Sequence, residues 1–327
     1  MPLTAKTPNS QYFAFIPILV ASLPQGNPPI LTRGAPAPPV TKGMAGILRR
    51  MENSVTSPTL ASDRIAVIIP ALNEALRIRD VVEGALRHCP NVILIDDGSD
   101  DGTSEAVADL PITVIRHASR MGKGAGLRDG FAEALRQGFD AVIAMDGDGQ
   151  HSGEDIPRLL AAANRFPGWI VIGARLRKRA NQPTYRRLAN EFGDWGIAWG
   201  TGYQVADSQS GQRLYPAAVC RLGCSGIPGE DFVFEAQIVM SAAQELGTRC
   251  VSVPIEARYN QIHGAPDFRP SHFRPLRDLW RITSHIVAQC VRRGGLWEVH
   301  KRTRLNPPVI DDPSGEFAAA PSRPLPH

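Results

Sequence analysis

The sequence predicts an α/β domain, a Rossmann-like and mostly parallel sheet flanked by helices, and three observations carry that prediction. Short runs rich in Val and Ile alternate with amphipathic helical segments. At 327 residues and 43% hydrophobic content, the chain can bury the core that an open sheet needs. The runs end in turns rich in Gly and Asp, where ligands of such sheets bind because the loops converge on helix N-termini.

Residues 1–60 hold ten of the 28 prolines and no sustained period, which predicts a disordered Pro-rich tail. Its apolar stretch Tyr12 to Leu23 contains Pro17 and is shorter than the roughly 18 to 20 residues of a membrane span. Lys6 precedes it, but no clean small-x-small site follows, and Met44 and Met51 stand just ahead of the folded pattern. A single domain is expected over 61–295 and a second disordered tail over 296–327. Strands are predicted at Ile65 to Ile69, Val92 to Ile95, Ile112 to Ile115, Ala141 to Met145 and Ile170 to Ile172. Helical spacing joins Leu76, Val81, Ala85 and Leu86, and again Ile156, Leu159, Leu160 and Ala163.

The net charge of +4 is spread along the chain, which argues against a nucleic-acid partner. Five scattered cysteines (Cys89, Cys220, Cys224, Cys250, Cys290) are odd in number and suit reduced thiols in a cytoplasmic protein. Cys220 and Cys224 lack a second ligand pair at finger-like spacing, so no structural zinc is expected.

The strand ends carry the chemistry. Asp146 and Asp148 follow a strand with only Gly147 between them, so two carboxylates emerge near one point and call for a hard divalent cation such as Mg²⁺. An acidic turn capping the helix near Ser152 is the alternative. An EF-hand is excluded, because His151 and Pro157 stand where its Gly and Glu belong. An aspartate-nucleophile phosphohydrolase with a D-x-D-G-T motif fits poorly, since Gln150 replaces the hydroxyl residue. In Asp96 to Thr103, Asp96 and Asp97 lie nearest the strand and can accept hydrogen bonds from a ribose or base edge. Asp100 or Asp101 reads as a cap in a solvated turn. The turn Gly122, Lys123, Gly124, Gly126 can bring backbone N–H groups and an ammonium to a phosphate, although it has neither P-loop nor dinucleotide-fingerprint spacing. Arg175 and Arg213 are candidates for bidentate phosphate contacts, with surface arginine as the alternative for each.

Taken in order, V-I-I-P-A-L-N-E, I-D-D-G-S-D-D-G-T, M-D-G-D-G-Q-H and D-S-Q-S-G-Q-R-L-Y resemble the family 2 glycosyltransferases of GT-A fold. The likeness spans roughly residues 63 to 282 and is strongest to the polyprenyl-phosphate glycosyltransferases. The resemblance implies that Pro70, Glu74 and Asp96 contact the nucleoside of a UDP- or GDP-sugar, with Asp97 nearby. It implies that Asp146, Gly147 and Asp148 form the D-x-D motif, with Asp148 and Gln150 nearest a Mg²⁺ or Mn²⁺ ion. Arg120 and Lys123 match its basic glycine-rich segment, and Arg175 and Arg213 its phosphate-contacting positions. Leu72 stands where the family often has an aromatic, and Gln212 where it often has Phe.

The resemblance implies inverting transfer to a polyprenyl phosphate or another membrane-associated acceptor. A lipid phosphate is already anionic, whereas a hydroxyl acceptor needs a general base, for which Asp231 or Glu230 is the candidate, with a helix N-terminal acidic pair as the alternative. A nucleotide-sugar-binding module without turnover is the second reading. Ser271 to Arg293 combines apolar Leu276, Leu279, Trp280, Ile286 and Val287 with five arginines. Such a helix either packs on the domain or lies on the cytoplasmic face of an anionic membrane.

Overall fold

A computed structural model describes residues 59–177, 184–227, 232–256 and 303–315. The expected tail up to residue 58, the basic segment 271–293, Glu230 and Asp231 lie outside these residues.

The chain builds β1 (Ile65–Ala71), α1 (Ile78–Leu86), β2 (Val92–Asp96), β3 (Thr113–Arg116), α2 (Lys123–Arg136), β4 (Ala141–Ala144) and α3 (Ile156–Arg165). It continues through β5 (Ile170–Arg177), α4 (Thr184–Thr201), β6 (Arg213–Pro216), α5 (Ala217–Cys224), α6 (Phe232–Glu245) and β7 (Cys250–Glu256). One seven-stranded sheet has the order β3-β2-β1-β4-β6-β5-β7. β1 pairs in parallel with β2 and β4, and β5 with β7, while β6 runs antiparallel to both neighbours. All strands but β6 therefore point their carboxyl ends to one edge, and β6 begins there.

The strands of the middle of the sheet are apolar on both faces because helices cover both. Ala66 and Ile68 face the layer of Leu127, Phe131, Tyr215, Phe234 and Ile238. Ile65, Val67 and Ile69 face the layer of α1 and α3, including Val82, Ala85, Ile156 and Leu159. β3 alternates instead, with Val114 40% exposed, because it is an edge strand. Leu76 is 77% exposed and precedes α1, which begins at Ile78, so its expected place on the helix face is corrected.

Part of the expected second tail is packed. Ser252 in β7 accepts from Asp311 N–H at 2.8 Å and donates its N–H to Val309 O at 2.9 Å. Arg165 pairs with Asp311, Gln204 N–H meets Asn306 O at 2.9 Å, and Thr303 Oγ1 donates to Ala198 O at 3.3 Å. Backbone pairing with a strand edge supplies what that stretch lacks in apolar periodicity. The four described cysteines are free thiols, three of them buried, and Cys290 lies outside the described residues. Among the described residues no helix is long and apolar enough to cross a membrane.

Candidate active site

Loops after β1, β2 and β4 gather at the shared edge, on both sides of the point where the strand order reverses. The first two are stitched together. Asn73 N–H donates to Ser99 Oγ at 2.9 Å, Asp100 N–H to Asn73 Oδ1 at 3.0 Å, and Glu74 N–H to Thr103 Oγ1 at 2.9 Å. Asn73 adopts φ +57°, a left-handed conformation that a short polar side chain tolerates. Asp101 accepts from the Ala75 and Thr103 N–H groups, so it closes this double loop and does not cap a helix. Glu74 faces Arg77 at 3.3 Å, and Pro70 is half-buried at the end of β1.

Asp96 and Asp97 differ from the expectation of a nucleoside contact. Asp96 is fully buried beneath its loop, accepting from Ser99 N–H at 2.8 Å and from Ser104 Oγ, with Arg116 Nε at 3.6 Å. Burial pushes its pKa up, but the hydrogen bonds from Ser104 and Ser99 and the Arg116 charge outweigh burial and hold it below the usual range. Asp97 accepts from Met121 N–H at 2.7 Å and Gly122 N–H at 2.8 Å, so it fixes the basic glycine-rich turn. Gly98 lies against that turn with φ +78°, and a Cβ there would come 2.8 Å from the Ser119 carbonyl carbon. Arg120 is exposed on the same turn.

Lys123 opens α2 and points into the site. Its Nζ stands 2.7 Å from Asp146 Oδ1 and 3.0 Å from Glu235 Oε2 on α6. Burial works against its charge, but Asp146 and Glu235 raise its pKa above the ordinary lysine value. Asp146 is lowered despite burial, chiefly by Lys123, while burial and the Asp146 charge both raise Asp148. Gln150 lends its backbone N–H to Asp148 Oδ1 at 3.0 Å. Gly211 seats Asp146, since a Cβ there would lie 2.1 Å from Oδ2.

The residues fit a divalent ion. Asp148 is a half-buried carboxylate beside a second one, which is the electrostatic deficit a cation fills. The buried His151 Nδ1 has no hydrogen-bond partner among the described residues, and its Nε2 is 3.8 Å from Asp146. Burial holds the His151 pKa down to about 4, so the ring is neutral at pH 7. No cluster of three or more His, Cys, Asp or Glu that could hold a metal occurs among the described residues. Asp146, Gly147 and Asp148 thus suit an ion that keeps positions for water and phosphate oxygens.

The two arginines part company. Arg175, at the carboxyl end of β5, makes a bidentate pair with Asp207, Nε to Oδ2 and Nη2 to Oδ1 both at 2.8 Å. Arg213 is corrected. It is 2% exposed, and its guanidinium donates to Ser208 O at 2.6 Å, Ser210 O at 2.7 Å, Glu235 O at 3.0 Å and Tyr215 Oη at 3.3 Å. Those donors organise the entry to β6 and leave no open face for a phosphate. Gln212 is equally buried and donates to Ser152 O at 2.9 Å, tying this loop to the turn after Asp148. Ser152, and not the acidic pair before it, caps the helical turn that follows.

Sequence reasoning passed over Glu235, Asp207, Asp194 and His117. Asp194 on α4 accepts from Ser208 N–H at 2.6 Å, and burial lifts its carboxyl to about 6. Asp207 opens the motif D-S-Q-S-G-Q-R-L-Y, whereas Glu235 lies in none of the motifs above. The available signal was a charge within the apolar run F-V-F-E-A-Q-I-V-M.

The family profile described as glycosyl transferase family 2 matches residues 66–222, from β1 into α5. An undecaprenyl-phosphate mannosyltransferase from Micrococcus luteus is 31% identical over 208 residues, covering 59% of this chain and 82% of that protein. The chain belongs to glycosyl transferase family 2. A polyprenol monophosphomannose synthase from Mycolicibacterium smegmatis is 29% identical over 206 residues, covering 59% of this chain and 77% of that one. The crystal structure of mannosyl-3-phosphoglycerate synthase from Rubrobacter xylanophilus superposes with a TM-score of 0.51 at 19% identity, covering 75% of this chain and 76% of that one. It shows that this family 2 glycosyltransferase has the GT-A fold. Glu235 and β7 lie beyond the segment that matches the family profile.

Proposed function

We propose that this glycosyltransferase moves a hexose from a UDP- or GDP-linked donor to a polyprenyl phosphate or another membrane-associated acceptor, with inversion and with Mg²⁺ or Mn²⁺. One observation carries the reading: the adjacent carboxylates of Asp146 and Asp148, with the Lys123 ammonium on Asp146, at the reversal point of the sheet. The acceptor class is supported by the names of the two relatives above, both of which are polyprenyl-phosphate enzymes.

In this reading Pro70 and Glu74 face the nucleoside, while Asp96 and Asp97 act through the loops they hold. Asp146 and Asp148, with Gln150 beside them, would hold the ion, which would supply positive charge opposite the departing diphosphate. Lys123, Arg120 and Arg175 ring the same edge and add positive charge where the diphosphate develops it. The acceptor oxygen forms a bond to the anomeric carbon as the bond to the diphosphate oxygen breaks, and a single displacement inverts that carbon. A phosphate acceptor needs no base. A hydroxyl acceptor requires one, and Asp231 or Glu230 is proposed for that case.

Thermal melting with UDP- and GDP-sugars, with and without Mn²⁺, tests the donor. One nucleotide sugar should raise the melting temperature only with the ion present, by mass action. Asp148→Asn should abolish transfer to an undecaprenyl phosphate acceptor while the melting curve stays cooperative. Metal-independent transfer by the wild type, or an active Asp148→Asn protein, would sink the reading.

A further inference from the structure

We propose that His117, bridging Asp97 and Asp129, is the positioning residue that fixes the turn carrying Arg120 and Lys123 against the donor site. The proposal rests on the donor reading above.

His117 follows β3 and is nearly buried, with Nδ1 2.8 Å from Asp97 Oδ1 and Nε2 3.0 Å from Asp129 Oδ2 on α2. Both ring nitrogens thus face carboxylates, and only an imidazolium with two N–H groups can donate to both. A neutral ring would aim one lone pair at a carboxylate oxygen.

Asp97 passes the restraint on. The oxygen that meets His117 also accepts the Met121 N–H, and its other oxygen accepts the Gly122 N–H. Gly122, at φ +94°, then accepts from Ala125 N–H at 3.0 Å to start α2 at Lys123. Three elements meet at one carboxylate: the end of β2, the turn after β3, and the start of α2. Losing the imidazolium leaves Asp97 with two backbone donors and a repelled ring, which loosens the turn and with it the direction of Lys123.

The charged groups facing His117 are Asp97 from the end of β2 and Asp129 from α2, while the adjacent Arg116 turns away to Glu105 and Asp96. Burial pulls the His117 pKa down, but the two carboxylates outweigh it and raise it above the ordinary histidine value. The folded pKa is raised, so the clamp is complete below the unfolded value of about 6.5 and is lost as pH rises through the folded one.

The test compares the full-length wild type with His117→Phe and Asp129→Asn. Asp129 is half-exposed, so its substitution leaves the core untouched. In the free protein, Asp129→Asn should lower the NMR titration midpoint of the His117 ring, and His117→Phe should speed hydrogen exchange at the Met121 and Gly122 amides about tenfold. Binding of UDP and GDP with Mn²⁺, followed against pH, should weaken on the alkaline side in the wild type. That limb should move to lower pH in Asp129→Asn and vanish in His117→Phe, and KM for the donor should rise while kcat stays near wild type.

Unchanged amide exchange, or an unmoved alkaline limb in Asp129→Asn, overturns the proposal. If His117→Phe fails to fold, Asp129→Asn decides alone. A wild type that binds neither nucleotide overturns the donor reading and the link to donor affinity, even where the amides respond as expected.

Discussion

The Lys123 ammonium lies 2.7 Å from Asp146 Oδ1, so a lysine at the start of one helix neutralises the first carboxylate of the D-x-D pair. Glu235, 3.0 Å away on α6, holds that ammonium from the other side. Lys123→Met should therefore leave two acidic groups without their shared cation and lower transfer about a hundredfold, the scale of losing one preorganised charge contact. Glu235→Gln keeps an acceptor for Lys123 and should cost less. Steady-state transfer with matched melting curves measures both, and wild-type turnover in Lys123→Met would refute the assignment.

Arg213 makes its contacts to backbone carbonyls inside the protein. Arg213→Met should destabilise the fold by about 3–5 kcal/mol, because buried acceptors and Glu235 lose a charged partner. Urea unfolding measures this. A variant with wild-type stability and weakened donor binding would restore the phosphate-contact role that the burial argues against.

Asp207 ties Arg175 to the loop before β6, and Arg175 N–H also donates to it at 2.7 Å. Burial would raise the Asp207 pKa, yet the hydrogen bonds and charge of Arg175 outweigh it and lower it. The folded value is depressed, so this stabilisation is present above the unfolded value of about 3.9 and disappears as pH falls through the folded one. Asp207→Asn should cost about 1–3 kcal/mol near pH 7 and flatten the loss of stability on acidification. Urea midpoints measured from about pH 6 down to about pH 3 test the sign, and a steeper acid slope in the variant would contradict it.

Gly211→Ala should disable transfer without unfolding the protein, since the new Cβ would sit 2.1 Å from Asp146 Oδ2 and drive that carboxylate aside. Gly102→Ala is the control. Unlike Gly211 it has a positive φ, +90°, but nothing lies within 4 Å of its added Cβ, so it should cost only about 1 kcal/mol of backbone strain and leave turnover intact. Equal turnover in the two variants would dismiss the steric argument.

The legible part of the fold was the part buried on both faces. Val67 to Ile69, Val92 to Ile95 and Ala141 to Ile143 read as strands because helices on each side demand continuous apolar runs. β6 is only Arg213–Pro216, and β7 carries Ser252 and Pro254, so neither shows a run to read. In the site, Asp146 and Asp148 were visible because a tight turn after a strand brings them together locally. Their partners were not, since Lys123 meets Glu235, and Arg175 meets Asp207, only after the chain has crossed the sheet. Arg213 shows the opposite failure: a cation inside a family-like motif reads as a ligand contact until its burial is known.

The return of Val309 to Asp311 alongside Ser252 has a consequence for how copies of the chain meet one another. An open strand margin is a template onto which another molecule can add its own strand, and aggregation commonly starts there. By pairing its own backbone with Ser252, the protein closes that point of the β7 margin to a strand from another molecule.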